Sequence, residues 1–334
     1  MRRPVVILSI LALATLLLCA ARLLVGGTAG WGWGSWGGWP EDRIIWQLRA
    51  NRLACGATVG AALAVAGALL QTLLRNPLAS PDILGVSSGA SLGVMTSIWL
   101  TAGGVVGTLA SAAWHAGPAL LGAVGALALV LTLSRRAGSL DPAGLVIIGV
   151  VVSVLCGAAV MFLQYLMPDA GFATARLLMG GLSDDTPSIV LVLVAVATLA
   201  GIVIAWLKGP TLDALVLGPD EAESVGVHVA RARWVLLGIT GTLSAGAVVI
   251  AGPIGFVGLI APHAARLLLR VPHSNHRWQL PASAMLGVIV IVGADCIIKG
   301  VNLGAGRLPL GVLTALIGGP ALILLLRRRG WVET

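Results

Sequence analysis

The feature that most constrains this chain is a series of apolar runs broken by charges or by glycine and proline clusters. They cover roughly residues 5–25, 53–74, 86–102, 118–134, 143–165, 187–207, 234–251, 255–270, 281–300 and 309–326. A hydrocarbon layer about 30 Å thick takes about 20 apolar residues per helix, so each run predicts one membrane span. The composition agrees. Hydrophobic residues make up 58% of the 334 residues and charged residues only 10%, against about 25% charged in soluble domains. A water-soluble fold is excluded, and the expectation is all-α: a polytopic membrane protein of about ten transmembrane helices forming one domain over 1–334. Forty-five glycines suit close helix approach where lipid supplies no hydrophobic drive.

Orientation follows from Lys and Arg, which accumulate on cytoplasmic flanks. With the amino terminus inside, Arg2, Arg3, Arg75, Arg135, Arg136, Lys208, Arg231, Arg233, Arg266, Arg270, Arg277 and Arg327 to Arg329 fall inside, two thirds of the 21 cations. Both termini are then cytoplasmic. The net charge of +8 is scattered over segment ends, which argues against a nucleic-acid partner. The opening run continues past Arg22 to Val25 and Leu18 is large for a cleavage site, so it reads as a first span and not as a signal peptide. Cys19, Cys55, Cys156 and Cys296 lack C-x-x-C spacing and read as buried, inert thiols. Trp31, Trp33, Trp36, Trp39 and Trp46 suit a membrane-water boundary.

Three features do not follow from spanning alone. Between Arg75 and Ala90, Asn76, Pro77, Pro81, Gly85, Ser88 and Gly89 fall in a stretch that cannot stay helical. Irregular backbone at membrane depth requires a protein-buried or wet setting; a plain cytoplasmic turn is the competing reading. A matching stretch, with Gly252, Pro253, Gly255, Gly258 and Pro262, lies in the second half, and such paired interruptions point to a transport pathway. The second feature is the polar loop 208–233, in which Gly218, Glu221, Ala222 and Gly226 outline a short capped helix, either a docking knob or a solvated loop. The third is a set of outward cations, Arg49, Arg52, Lys299 and Arg307. Arg49 and Arg52 are three apart and share a helix face, suited to carboxylates of an outer partner or to lipid phosphate. Arg176, in the proposed outer segment, pairs with lipid or Asp169 in preference to an anionic ligand.

With only Lys208 and Lys299, no G-x4-G-K-[ST] loop exists, so nucleotide hydrolysis needs another subunit. No H-E-x-x-H or nucleophile-base set appears, and His273 and His276 read as a solvated pair in a turn. The rival class is an ion-gradient-driven secondary transporter, which normally holds intramembrane acids; only Asp295 lies well within a proposed span.

At N-P-L-A-x-P-x-x-L-G-x-x-x-G-A (Asn76 to Ala90), G-P-I-G-F-V-G-L-I-x-P-H-x-x-R (Gly252 to Arg266) and L-P-x-G-V-x-T-A-x-x-G-x-P (Leu308 to Pro320), the chain resembles the FecCD-type ABC-importer permease family. Its members import iron-siderophores, haem or vitamin B12. The resemblance covers nearly the whole chain and implies a type II importer permease with inverted-repeat halves in the inner membrane. It also implies a second permease subunit, as a homodimer or with a similar chain, two ABC ATPase subunits and a periplasmic or lipid-anchored binding protein. ATP and Mg belong to the ATPase, and no cofactor is expected in this chain. By resemblance, Gly218, Glu221, Ala222 and Gly226 couple to the ATPase. Arg49, Arg52 and Lys299 match positions that dock the binding protein, while Arg307 departs from the usual residue. The cytoplasmic gate maps near Asp141, Pro142 and Ala143, without the small hydroxyl pair of the vitamin B12 importer.

Overall fold

A computed structural model describes residues 2–25, 32–33, 42–102, 112–136, 139–167, 179–184, 186–270, 275–302 and 308–328. The described helices are α1 (Arg2–Leu24), α2 (Arg43–Leu73), α3 (Val86–Ala102), α4 (Ala112–Leu133), α5 (Pro142–Tyr165), α6 (Ser188–Leu207), α7 (Gly209–Leu217), α8 (Pro219–Ser224), α9 (Val229–Ala251), α10 (Val257–Leu269), α11 (His276–Gly300) and α12 (Leu310–Arg328). Each of the ten predicted spans corresponds to a helix, and α7 and α8 add two short ones inside the polar loop. Two-residue pairs, Gly32–Trp33 with Val301–Asn302 and Arg135–Arg136 with Ser139–Leu140, join loops at opposite ends of the bundle.

Seven of these helices are long and apolar enough to cross a membrane. Helix α10 is the shortest of the ten that match predicted spans. At 1.5 Å per residue, the 13-residue α10 rises only about 20 Å, so its chain enters the bundle as non-helical backbone at 252–256. Phe256 adopts φ 69° immediately before the helix.

Helix α2 is the central post, with a continuous buried stretch from Val59 through Leu73 broken only at Ala61, packed against α9, α10 and α11. Glycine permits that proximity. A Cβ on Gly60 would lie 2.4 Å from the Gly287 carbonyl oxygen of α11, and one on Gly67 would lie 1.7 Å from that of Gly258 in α10. In the same way Gly89 of α3 meets Gly122 of α4. Small residues thus set the crossings, as expected in lipid. Large apolar side chains on α1, α5 and α6 point outward instead.

The helix start differs from expectation at two places. Helix α2 begins at Arg43, capped by Asp42, whose side chain accepts from Ile44 N–H at 2.8 Å; Arg49 and Arg52 therefore stand on the helix and not before it. Helix α11 begins at His276, and His276 is buried, not solvated: its ring lies 2.6 Å from Asp213 Oδ1 and 2.7 Å from Thr72 Oγ1. Its backbone N–H also donates to Asp213, which gives α11 its start. Of the cysteines only Cys55 is fully buried; Cys19, Cys156 and Cys296 are half-buried.

Candidate translocation site and its two flanks

The chain leaves α2 through a turn and re-enters the bundle. Asn76 Oδ1 accepts from Leu78 N–H at 2.9 Å, Pro81–Leu84 form one 3-10 turn, and Gly85 ends it at φ 72°. Ala79, Pro81 and Leu84 are buried, so the segment is not a plain solvated turn. It packs between glycines: a Cβ on Gly149 of α5 would meet the Ile83 carbonyl at 1.8 Å, and one on Gly258 would meet Pro81 Cδ at 2.7 Å. The two interrupted segments, far apart in sequence, therefore touch. The third motif joins them, since a Cβ on Gly311 would sit 3.1 Å from the Pro253 carbonyl and one on Gly318 2.6 Å from Phe256 Cβ.

Where these segments meet lies an open cavity of about 660 Å³. Ser88, Pro253 and Gly255 are among its walls, with Asp82, Ser87 and Ser153. Asp82 accepts from Ser80 Oγ at 3.1 Å and Ser87 Oγ at 2.8 Å, whereas the buried Ser153 hydroxyl has no partner among the described residues. The wall thus offers hydroxyls, the Gln164 amide and one carboxyl within a largely apolar surface. Asn76, Pro77, Gly89 and Pro262 shape the flanking backbone and are not among its lining residues. Asp82 and Ser153 were not singled out by sequence; Asp82 was readable as an acid after a proline inside an apolar stretch, while Ser153 gives no signal in helix α5.

Across the far end of α2 lies an ion cluster. Arg52, 6% exposed, donates to Asp295 at 2.7 and 2.9 Å and to Asp184 at 3.0 Å; Arg22, 1% exposed, donates Nε–H to Asp295; Lys299 pairs with Asp184 at 2.9 Å. Arg49 donates to the Leu23 carbonyl at the end of α1 at 2.7 Å. Arg49, Arg52 and Lys299 thus share one face of the molecule, but Arg52 and Lys299 are turned inward on carboxylates. Arg307 and Arg176 lie outside the described residues. Burial disfavours charge on Asp184, yet the Lys299 hydrogen bond and the Arg52 and Lys299 charges outweigh it and hold its carboxyl below the usual range. Arg22 and Asp184 were unassigned by sequence; a lone Arg ending an apolar run and an acid in the gap before α6 were the available signals.

The opposite end carries the knob. Gly218 caps α8 at φ 147°, and the side chain of Glu221, three residues on, folds back toward it, as the acidic partner of a capping box does, with no side chain at Gly218 to reciprocate. Val227 N–H bonds Ala222 C=O and Gly226 N–H bonds Glu223 C=O, both at 2.9 Å, with Gly226 at φ 85°. This is a Schellman ending. Ala222 is fully buried beneath, while Asp220, Glu221, Glu223 and Val225 face out. Near this end, Asp141 caps α5 by accepting from Ala143 and Gly144 N–H at 3.1 and 3.2 Å, with Pro142 at the first helical position.

The family model described as the FecCD transport family matches residues 7–328. The vitamin B12 import system permease protein BtuC of Vibrio cholerae is 37% identical over 93% of this chain and 90% of that protein. The hemin transport system permease protein HmuU of Yersinia pestis is 36% identical over 85% of this chain and 84% of its own length. A solved structure, an inward-facing conformation of a metal-chelate type ABC transporter, superposes with a TM-score of 0.81 at 30% identity, covering 97% of this chain and 99% of that one. The match spans the two interrupted segments, the cavity they enclose and both flanks, and on that basis this multi-pass inner-membrane chain belongs to the FecCD transport family of ABC importer permeases.

Proposed function

We propose that the chain is the membrane half of a binding-protein-dependent ABC importer that moves a bulky iron complex or a tetrapyrrole cofactor inward by alternating access. Relatives named for vitamin B12, hemin and Fe(3+)-citrate import support that cargo class. The observation that carries the reading is the meeting of Pro81, Pro253 and Gly311 segments at one open cavity, because broken helices at one site supply movable walls.

A second permease subunit, most simply another copy, closes the open side of the cavity and completes the pathway. The knob at Gly218 to Gly226 faces the cytoplasm and receives the stroke of a separate ATPase, which carries the ATP and Mg. The Asp141 cap lies at the cytoplasmic gate. The carrier protein docks on the face of Arg49, Arg52 and Lys299, its carboxylates competing with Asp184 for the same cations. A gradient-driven transporter is the weaker reading, since the intramembrane acid Asp295 is held between two guanidinium groups and not exposed for ion exchange.

The test is reconstitution in proteoliposomes with the cognate ATPase and binding protein. Uptake of one among iron-siderophore, haem and vitamin B12 should require ATP and survive an uncoupler. ATP-independent uptake abolished by the uncoupler would reject the importer reading.

A further inference from the structure

Beside the knob, a cavity of about 240 Å³, separate from the larger one, lies among the ends of α2, α7, α10 and α11, with Pro77 of the first interrupted segment also in its wall. Its lining includes Gln71, Thr72, Arg75, Arg266, His276 and Gln279. No carboxylate belongs to that lining; the Asp213 carboxylate binds His276 from outside it. Five of the six polar side chains are deeply buried, with Gln279 and His276 each 1% exposed, Gln71 4%, Thr72 7% and Arg266 8%. Arg266 is held by a 2.7 Å hydrogen bond to Gln71 Oε1. A volume this small suits a head group or small ion and not a drug-sized molecule.

Two observations point to a ligand. The Gln279 Oε1 atom is buried and has no hydrogen-bond partner among the described residues, and buried acceptors are normally satisfied. Arg75 supplies the second. It occupies the position after the cap of α2, at φ 47°, with its N–H bonded to Thr72 C=O at 3.2 Å and Asn76 N–H bonded to Gln71 C=O at 3.1 Å. That position favours glycine, yet it holds a long cation whose guanidinium, with the Glu221 carboxylate nearby across Gly218, makes no hydrogen bond or ion pair within 4 Å among the described residues. Strained backbone retained for a side chain is a mark of use.

We propose that this cavity binds a phosphate oxyanion that also carries a hydroxyl donor. The oxyanion bridges Arg75 at the rim and Arg266 at the floor, as guanidinium groups do with phosphate, and the hydroxyl donates to Gln279. Hydrogenphosphate and the head group of phosphatidylglycerol share that chemistry, and basic pockets between helices on the cytoplasmic side are established lipid sites. The bridge would tie the end of α2 to α10 beneath the knob.

The test uses the full-length chain. In detergent at constant ionic strength, hydrogenphosphate and sulfate are titrated while thermal unfolding is followed; in nanodiscs, phosphatidylglycerol is compared with phosphatidylcholine by native mass spectrometry. Saturable binding of hydrogenphosphate alone assigns a free anion, and retention of phosphatidylglycerol alone assigns a head group. Arg75→Gly is the decisive variant because its backbone is relieved, so the ligand-free melting temperature stays level or rises while affinity falls about tenfold or more. Gln279→Leu should erase the preference for hydrogenphosphate over sulfate. Absence of saturable binding in both arms, or unchanged affinity in Arg75→Gly, overturns the proposal.

Discussion

Arg52 and Asp295 join α2 to α11 through two hydrogen bonds from one guanidinium to one carboxylate oxygen, at 2.7 and 2.9 Å. Asp295 also accepts from Arg22 of α1, so one buried acid holds three helices. Removing the acid leaves the buried Arg22 without its carboxylate and Arg52 with only the part-exposed Asp184, and breaking a buried pair costs about 3–5 kcal/mol. Asp295→Asn should therefore lower the melting temperature in detergent by several degrees. Arg49→Ala, which loses only a half-buried bond to the Leu23 carbonyl, should lower it far less. Equal effects in fluorescence-detected unfolding would contradict the buried-network account.

Asp184 gives that cluster a pH dependence. Its carboxyl titrates below the ordinary range in the folded chain because of Lys299 and Arg52, and an acid of lowered pKa stabilises above its unfolded value, about 3.9. The contribution is fully present at pH 5 and above and is lost as pH falls through the lower folded value. Asp184→Asn should flatten the decline in melting temperature below pH 4 and leave its slope above pH 5 unchanged. Its side chain is about one third exposed, so solvent screening keeps the effect modest.

Much of this architecture was legible because the signals are local. Span number came from apolar length, the short capped helix α8 from Gly218 and Gly226, and the two interrupted segments from paired glycine and proline. What was not legible depends on register between distant helices. Arg49 and Arg52 were readable as one helix face, but nothing along the chain says that Asp184 and Asp295 come to meet Arg52, which turns an outward cation inward. His276 was hidden in the same way, since its burial depends on Asp213 and Thr72, 63 and 204 residues away. Ser153 is one small residue in an apolar helix and becomes a cavity wall only when α5 packs on Ile83.

Close glycine contacts make a sharper stability prediction than hydrophobicity does. Gly67→Ala places a methyl group 1.7 Å from the Gly258 carbonyl oxygen, backbone that cannot rotate away, so α2 and α10 must separate. Overpacking usually costs about 1–3 kcal/mol, and a collision with backbone belongs at the upper end or above. Gly157→Ala on α5 meets nothing within 4 Å and should leave expression and melting unchanged. Comparable loss of folded protein from both variants, measured by size-exclusion chromatography, would mean that the crossings are not set at these contacts.

The knob should separate coupling from folding. Gly226 needs φ 85° to end α8, and an alanine there costs about 1–2 kcal/mol in left-handed backbone, paid within a six-residue helix that has little else to hold it. Glu221 faces solvent yet closes the other end of α8 on Gly218, so reversing its charge with Glu221→Lys alters both the cap and the surface offered to a soluble partner. Neither change touches the α2 core, so each variant's melting temperature should stay within about 3 °C of the parent, given how a 1 kcal/mol change scales in chains of this size. The proposed coupling role predicts a different readout in the assembled complex: ligand-stimulated ATP hydrolysis falls at least tenfold while the basal rate of the ATPase is retained. Glu223→Lys, an exposed neighbour without the capping contact, separates charge from geometry. If it reproduces the Glu221→Lys defect the partner reads the acidic surface, and if it is silent the shape of α8 transmits the stroke. Full stimulation in Gly226→Ala and Glu221→Lys together would remove α8 from the coupling path.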